Sequence, residues 1–296
     1  MEIAENPARK NLTIWLSFLF LTVAWGSSFI LVKKSLIAFP PVIVASLRLS
    51  SAMLVMFPFA IRHFSQIPKN KLKYVVSSAF LGIGIPAFLF ALAQMGMNSS
   101  ITGILNALTP CMTFLIGILF FQQKSNALKI LGLSLGFLGS ASLIFFNAKG
   151  ELHLNVYCLT IILATLMYGV NLNTTKRFLS DIKPIHLSTV SISIAGCFGI
   201  LILLTTNFVE ILKTNPKATF SLITALTLGI VGTAFAQTLF NNLLSKTSAF
   251  FASSITYFIP LMALVWGIID GETLSVWHYF GMVLLIGGII VINRFK

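Results

Sequence analysis

The chain has 296 residues, of which 57% are apolar and only 9% are charged, and its mean hydropathy is +0.95. This composition excludes a water-soluble globular domain, because water cannot solvate so large a share of apolar surface. The formal net charge of +13 would suit nucleic-acid binding only if the basic residues shared one soluble surface, and here they lie in short clusters beside apolar segments. The sequence predicts a membrane protein whose partners are the lipid bilayer and a small-molecule solute, with no nucleic acid.

Apolar segments of the length needed to cross a bilayer fill nearly the whole chain. A helix requires about 20 such residues to span the hydrocarbon core. We place ten helices at residues 12–32, 41–61, 74–94, 100–121, 127–146, 156–175, 185–206, 220–242, 248–269 and 276–293. An alternative with eight or nine spans would make one segment re-entrant, near the weak separator at 95–99. The first apolar run is too long for a cleavable signal peptide, so we expect it to stay as an anchor.

The chain also repeats itself at a nearly constant spacing. Each half carries five spans, and an odd number makes the second half enter the membrane from the opposite side. The fold class predicted is therefore all-α and polytopic, with ten transmembrane helices in two inverted five-helix repeats, at residues 12–147 and 155–294. Secondary transporters often have this plan, with the substrate site near the bilayer midplane. The matched positions are Trp25-Gly26 with Tyr168-Gly169, Lys33-Lys34 with Lys176-Arg177, Pro41 with Pro184, Leu81-Gly82-Ile83 with Leu228-Gly229-Ile230, Pro110 with Pro260, and Gly132 and Gly139 with Gly281 and Gly288.

The basic residues predict the orientation. With the N-terminus inside, 14 Lys and Arg residues lie on the cytoplasmic side and 5 lie outside, namely Lys33, Lys34, Lys149, Lys213 and Lys217. Cytoplasmic loops carry the excess of Lys and Arg in membrane proteins. We therefore expect a multi-pass protein of the cytoplasmic (inner) membrane with both termini in the cytoplasm.

Arg48 is the one ionisable residue placed clearly within a predicted span. A charge in hydrocarbon costs about 2.5–3.5 kcal/mol on insertion scales, so such a residue is a functional hypothesis by default. Two interpretations stay open. Arg48 either contacts the substrate or has a structural role, reaching the outer headgroups or bonding the carbonyls of a neighbouring helix.

Pro110 and Pro260 occupy matching positions within spans, and each leaves the carbonyl four residues earlier without its helical partner. Those carbonyls belong to Asn106 and Thr256. A free carbonyl at membrane depth should face protein or a water-filled cavity. We favour a cavity because the arrangement occurs twice; the alternative is a pair of simple kinks satisfied by local Ser and Thr hydroxyls.

Further candidate binding residues carry polar or aromatic groups at helical spacing. Trp25 and Ser28 share one helix face, as do their counterparts Tyr168 and Asn171. These faces are expected to line the seam between the halves, although helix packing alone would also explain each aromatic. Other hydrogen-bonding groups in the apolar set come from Gln237, Asn241 and Tyr257.

Motifs for enzymes, cofactors and metals are missing from the sequence. No predicted span has a central Asp, Glu or His, the usual members of a proton relay. The chain has no P-loop and no HExxH motif, and its acidic residues form no metal-binding cluster. We therefore expect no enzymatic activity, no cofactor and no metal site.

The chain resembles the EamA family of the drug/metabolite transporter superfamily over nearly all of its length. The resemblance is carried by Trp25-Gly26-Ser27-Ser28-Phe29 with Lys33, by Pro41 and Arg48-Leu49, by the segment from Asn106 to Pro110, and by Tyr257 to Pro260 with Gly271-Glu272, Gly281 and Gly288. It implies ten helices in two inverted repeats, a central cavity formed chiefly by helices other than the fifth and tenth, and export of small metabolites. Two departures are visible: Gln122 or Gln123 stands where the family tends to have an acid, and Ser191 stands at the repeat position of Arg48.

Together these features predict a secondary transporter that exports small organic metabolites, amino-acid-like or amphipathic, by alternating access. Two alternatives stay open. A channel or passive facilitator would be expected to show rings of charge or a carbonyl filter, and a receptor or scaffold would usually carry a soluble domain. The sequence shows none of these.

Overall fold

The computed structural model describes residues 7–146, 149–150, 155–246 and 255–294, and across these ranges the chain is helical without a strand. Eight of its helices are long and apolar enough to cross a membrane, and two shorter apolar helices, Phe258–Ile269 and Val276–Ile292, bring the number to ten. The protein is thus an all-α polytopic membrane protein, as its composition predicts.

The ten membrane helices are numbered as spans 1 to 10 in chain order. Two of them, spans 3 and 8, contain a short π-helix, and span 4 is divided by a turn at residues 107–108. Their bounds are Pro7–Ser35 (span 1), Pro41–Phe64 (2), Leu72–Ala79 with π-helix Phe80–Gly84 and Ile85–Ala93 (3), Ser99–Asn106 with Thr109–Phe121 (4), Ala127–Phe145 (5), Cys158–Phe178 (6), Pro184–Leu203 (7), Ala218–Gly229 with π-helix Ile230–Phe235 and Ala236–Lys246 (8), Ile255–Ile269 (9) and Val276–Arg294 (10). A 3₁₀ turn, Lys69–Lys71, precedes span 3, and a short helix, Phe208–Thr214, follows span 7.

Proline begins the two spans that form the central pair. Pro41 and Pro184 lie in the first turn of spans 2 and 7, where a helix does not need the missing N–H and where the fixed φ of proline already suits the helix. The two residues are counterparts in the repeat. Spans 2 and 7 then pack along each other as the most extensive helix pair of the fold.

Packing runs mainly between residues 7–146 and residues 155–294. Span 1 packs on spans 8 and 9, span 6 packs on spans 3 and 4, and span 5 packs on span 10. The last pair is very close, because a Cβ at Gly132 would lie 2.7 Å from the Gly288 carbonyl oxygen and one at Gly139 would lie 2.6 Å from that of Gly281. Glycine permits this backbone approach where lipid provides little drive for helix association. Spans 5 and 10 touch the other spans only lightly, so eight helices surround the centre.

The π-helices lie at corresponding places in spans 3 and 8. The first, Phe80–Gly84, contains the sequence Leu81-Gly82-Ile83. The second, Ile230–Phe235, begins within the repeated sequence Leu228-Gly229-Ile230. Single π turns in helices occur frequently at functional sites, because they redirect side chains and free a carbonyl.

The two ends of the bundle are named here by residues that lie there. The Lys33 end contains the last turn of span 1, the start of span 4 and the connection between spans 9 and 10. The Lys71 end contains the last turn of span 2, the start of span 3 and the connection between spans 6 and 7.

Candidate functional site

Arg48 lies in the interior of the bundle on span 2. Its Nε donates a hydrogen bond to Oγ1 of Thr233, 2.9 Å away in the π-helix of span 8. The side chain is partly buried and part of its surface remains accessible. Within the described ranges, the two terminal guanidinium nitrogens of Arg48 make no hydrogen bond.

Tyr168 of span 6 is the electrostatic neighbour of Arg48. Its ring stacks on Phe90 of span 3 with the centroids 6.0 Å apart, and the side chain is partly accessible like that of Arg48. The structure thus brings together two predicted site residues that lie 120 positions apart in the sequence. They come from opposite halves of the chain.

Trp25 and Ser28 contact the π-helix of span 8. The indole Nε1 of Trp25 donates to the carbonyl oxygen of Gly232 at 3.1 Å, one residue before the threonine that holds Arg48. Ser28 donates to the Ala24 carbonyl and leaves so little room beside Gly232 that a Cβ there would lie 2.9 Å from its Oγ. The ring of Phe240 lies 5.1 Å from that of Trp25.

Asn171 makes the corresponding contact with the π-helix of span 3. A Cβ at Gly82 would lie 2.4 Å from the Asn171 side-chain nitrogen, so the amide rests directly on this glycine. Both predicted polar faces therefore lie at the seam, each against a glycine in a π-helix of the other half. A role in binding solute stays a prediction for Trp25, Ser28 and Asn171.

Gln237 and Asn241, predicted together, have different surroundings. Asn241 donates from Nδ2 to the Ser188 hydroxyl of span 7 at 2.5 Å, which ties spans 7 and 8 together. Gln237 lies one turn earlier, is partly accessible and makes no hydrogen bond within the described ranges. Gln237 therefore remains available to a solute, whereas Asn241 already serves a structural contact.

The expectation of an unpaired carbonyl at Asn106 is wrong. The chain makes a turn at residues 107–108, and Pro110 lies in the first turn of the helix that follows. The Thr109 hydroxyl donates to the Asn106 carbonyl at 2.7 Å, which is the local satisfaction that the sequence left open as an alternative. Pro110 therefore starts a helix, and the amide side chain of Asn106 is left partly accessible.

The matching residues of the second half differ from this arrangement. Pro260 lies inside the helix of span 9, in its second turn. The side chains of Thr256 and Tyr257 lie outside the part of the chain that the structure describes, so their predicted contacts with a solute stay predictions.

A cluster of charged residues at the Lys33 end was not predicted as a site. We call it the acid clamp, and it consists of Lys33, Lys34, Ser99, Ser100, Asp270 and Glu272. Lys33 Nζ lies 2.8 Å from Glu272 Oε1 and 2.7 Å from Asp270 Oδ2, and Lys34 forms an ion pair with Asp270. Two cations of span 1 thus meet two carboxylates that follow span 9.

Glu272 is the buried centre of the acid clamp, with only 2% of its side chain exposed. Its Oε1 accepts from the Ser99 N–H at 2.9 Å and the Ser99 hydroxyl at 2.7 Å, and its Oε2 accepts from the Ser100 N–H at 2.9 Å and the Ser100 hydroxyl. The carboxylate therefore occupies the N-terminus of span 4, where free N–H groups favour an anion. Burial opposes ionisation, but Lys33 and the serine donors outweigh it and lower the pKa of Glu272 to about 2.

The Lys71 end is held by a buried apolar cluster of Ile67, Val75, Leu179, Ile182, Leu187 and Val190, and its charged contacts are weaker than those of the acid clamp. Lys71 pairs with Asp181, whose side chain is 61% exposed. The Tyr74 and Phe178 rings stack with centroids 4.3 Å apart. At the position matching Glu272 stands Gln122 or Gln123, so the described residues of this end include no equivalent of the buried carboxylate.

The described residues contain no group of three or more His, Cys, Asp or Glu that could hold a metal ion.

Comparison with known proteins agrees with this architecture. A probable amino-acid metabolite efflux pump of Salmonella typhimurium is 25% identical over 284 residues, covering 92% of each chain. A protein with the same name in Escherichia coli is 23% identical over 290 residues, again covering 92% of each. YoaV, an uncharacterized transporter of Bacillus subtilis, is 25% identical over 285 residues, covering 93% of this chain and 95% of YoaV.

A solved crystal structure of another protein has the same fold, with a TM-score of 0.61 at 14% identity over 93% of this chain and 94% of that one. The model of the EamA-like transporter family matches residues 13–145 and again residues 155–294. The chain therefore belongs to the EamA-like transporter family.

Proposed function

We propose that this protein exports small organic solutes, amino-acid-like or otherwise amphipathic, across the cytoplasmic membrane by alternating access between its two halves. Similar proteins named as amino-acid metabolite efflux pumps support the solute class. The observation that carries the proposal is the unequal closure of the two ends around an interior that contains Arg48 and Tyr168.

The excess of Lys and Arg on one side supports the orientation. By the positive-inside rule, the Lys71 end faces the cytoplasm together with both termini, and the Lys33 end faces outward. The acid clamp is then the outer closure, and the contact of Lys71 with Asp181 belongs to the cytoplasmic closure.

The two closures differ in strength for a physical reason. An exposed ion pair such as Lys71 with Asp181 contributes only about 0–1 kcal/mol, because water screens it. The carboxylate of Glu272 is buried and accepts charge-assisted hydrogen bonds, and each hydrogen bond to a charged group contributes about 1.5–3 kcal/mol. On these charged contacts, the cytoplasmic end is the easier one to open. An exporter needs this resting preference because it must load its solute from the cytoplasm.

Efflux from loaded cells tests the proposal. Cells with and without the protein would be fed a panel of dipeptides, which raises the cytosolic concentration of each amino acid, and the amino acids released into the medium would be measured. We expect faster release of at least one member when the protein is present, and loss of that gain in Arg48→Gln. Glu210→Gln, which changes an exposed acid on the helix after span 7, is the matched control. Equal release across the panel at verified protein abundance would contradict export of amino-acid-like solutes.

Labelling of a single introduced cysteine tests the orientation. Gly150 lies in the connection between the halves, which should be outside. In a variant without the native cysteines, we expect Gly150→Cys to react with an impermeant maleimide added to intact cells. Reaction only after the cells are opened would reverse the orientation and, with it, the assignment of the outer closure.

A further inference from the structure

We propose that the transported solute carries one carboxylate group and that Arg48 binds it, an inference that rests on the proposed function and narrows its substrate class. The starting observation is that Arg48 has no anionic partner among the residues that the structure describes. The described acids lie elsewhere: Asp270 and Glu272 are committed to lysines of span 1, Asp181 pairs with Lys71, and Glu210 lies on an exposed helix.

A buried cation left without an anion is costly. At the depth of a membrane span the cost is about 2.5–3.5 kcal/mol on insertion scales. The single hydrogen bond from Arg48 Nε to the neutral hydroxyl of Thr233 does not neutralise the charge. An anionic solute that reaches the accessible part of Arg48 would neutralise this charge, and the gain would favour binding of the solute at this position.

The geometry favours a carboxylate. Since Nε is held by Thr233, the plane of the guanidinium is oriented while its two terminal nitrogens stay free of protein partners within the described ranges. Parallel donors of this kind match the two oxygens of a carboxylate. A phosphate ester would bring about −1.5 to −2 charges, more than one arginine can balance. Tyr168, the electrostatic neighbour of Arg48, places a phenol near the same group.

The neighbouring residues indicate the rest of the solute. Trp25 is bonded to the Gly232 carbonyl, adjacent in the chain to Thr233, and its ring packs near Phe240. One π-helix therefore anchors both the cationic group and an aromatic pair. We infer that the preferred solute joins its carboxylate to an apolar or aromatic body.

Binding of a matched pair of probes tests the inference without any need for transport. The protein would be purified in a neutral detergent without added lipid, so that no phosphate headgroup competes for Arg48. Phenylacetate and phenylacetamide, which differ in charge but hardly in shape, would be titrated by calorimetry. We expect the wild type to prefer phenylacetate by about 10- to 100-fold, as expected for a hydrogen-bonded charge pair.

Variants assign this preference to Arg48. Arg48→Gln should abolish the preference, and Arg48→Lys, which keeps the charge and is the safer variant for folding, should weaken it because the planar donor pair is lost. Thr233→Val should lower it in part, since Thr233 only positions the guanidinium. Arg177→Gln, at an exposed arginine of span 6, should leave it unchanged.

Two outcomes would overturn the inference. One is the absence of a carboxylate preference in the wild type, including the absence of binding by either probe. The other is a preference that survives in Arg48→Gln. The efflux assay reports separately on the proposed function. Export confined to neutral solutes would support export but contradict the carboxylate inference. A carboxylate preference without any efflux would support the inference but contradict export.

Discussion

Glu272→Gln should loosen the outer closure while leaving the rest of the bundle intact. The substitution keeps the size of the side chain but removes its charge. Lys33 then loses one of its two anionic partners, and the N-terminus of span 4 loses the carboxylate that accepts from Ser99 and Ser100. We expect the equilibrium to move toward a conformation that is open at the Lys33 end.

The size of this shift follows from the pKa of Glu272, which is about 2 instead of the ordinary 4.5. At about 1.4 kcal/mol per pH unit, the difference corresponds to roughly 3 kcal/mol of preference for the charged form. Neutral hydrogen bonds from glutamine would recover part of this. A net loss of about 2 kcal/mol in the closed state gives a roughly 30-fold shift of the equilibrium between closed and open.

Cysteine accessibility measures the shift. Gln237→Cys would be introduced into a Cys197→Ser background, because the other two native cysteines are buried. The rate of reaction with an impermeant maleimide added outside should rise about 10- to 30-fold when Glu272→Gln is added, in line with the expected equilibrium shift. Glu210→Gln, an exposed acid at the same end, should leave the rate unchanged.

An unchanged labelling rate in Glu272→Gln, with normal abundance and normal elution on size exclusion, would refute the assignment of the acid clamp as the outer closure. A fall in thermal stability with no gain in accessibility would refute it equally, since the clamp would then stabilise the fold without controlling access.

Three further predictions concern stability. Gly229→Ala should destabilise the protein by about 1–3 kcal/mol in thermal unfolding, because the new Cβ would lie 2.3 Å from the Arg48 carbonyl oxygen. The control Gly287→Ala, whose Cβ would have no atom of the described residues within 4 Å, should be neutral or stabilising by up to about 1 kcal/mol. Equal effects of the two substitutions would contradict the close packing of spans 2 and 8. Lys33→Gln should lower the melting temperature more than Lys34→Gln, because of these two lysines only Lys33 contacts the buried Glu272. The opposite order would mean that the ion pair of Lys34 with Asp270 contributes more than that of Lys33 with Glu272. The stabilisation due to Glu272 should be constant between pH 5 and 8 and should decline only as the pH falls below about 4.5 toward 2, since a lowered pKa gives stability that is lost on acidification. The measurement is the difference in unfolding free energy between the wild type and Glu272→Gln. A difference that varied across neutral pH would contradict an ionised Glu272.

The architecture was predictable because a bilayer imposes simple rules. Helix length and apolar composition are coupled by the thickness of the hydrocarbon, so the spans could be placed from the sequence to within about five residues at the boundaries that the structure describes. The predicted start of span 9, at residue 248, lies outside the described residues. The glycines Gly132, Gly139, Gly281 and Gly288 were visible as repeat positions, and the structure shows that they bring the backbones of spans 5 and 10 together. On either side of residues 95–98, Lys69–Ala93 and Ser99–Phe121 are each long and apolar enough to cross a membrane, which favours ten spans over the re-entrant alternative.

The candidate site was less predictable because its contacts join distant parts of the chain. Lys33 and Glu272 lie 239 residues apart, and sequence spacing cannot pair them. A signal was present, since both residues and Ser99-Ser100 were placed at the same end of the bundle by the order of the spans. At Asn106 the sequence already contained the correct answer, although we favoured the cavity. Thr109, three residues later, is well placed to donate a hydrogen bond to the Asn106 carbonyl, which Pro110 cannot reach with a backbone N–H.

Departures from the repeat carry more information about function than the repeat itself. Two identical halves in inverted orientation would make the inward-open and outward-open states equal in energy, so no resting side would be favoured. Glu272 has the neutral Gln122 or Gln123 as its counterpart. The charged contacts of Glu272 therefore strengthen the closure at the Lys33 end only. Arg48 has Ser191, a buried residue that donates to the Val75 carbonyl at 3.4 Å. Under the proposed function, Arg48 would give the transporter a charged site, and Glu272 at one end would give it a preferred resting state. The two residues of the described chain that break the repeat would then account for both properties.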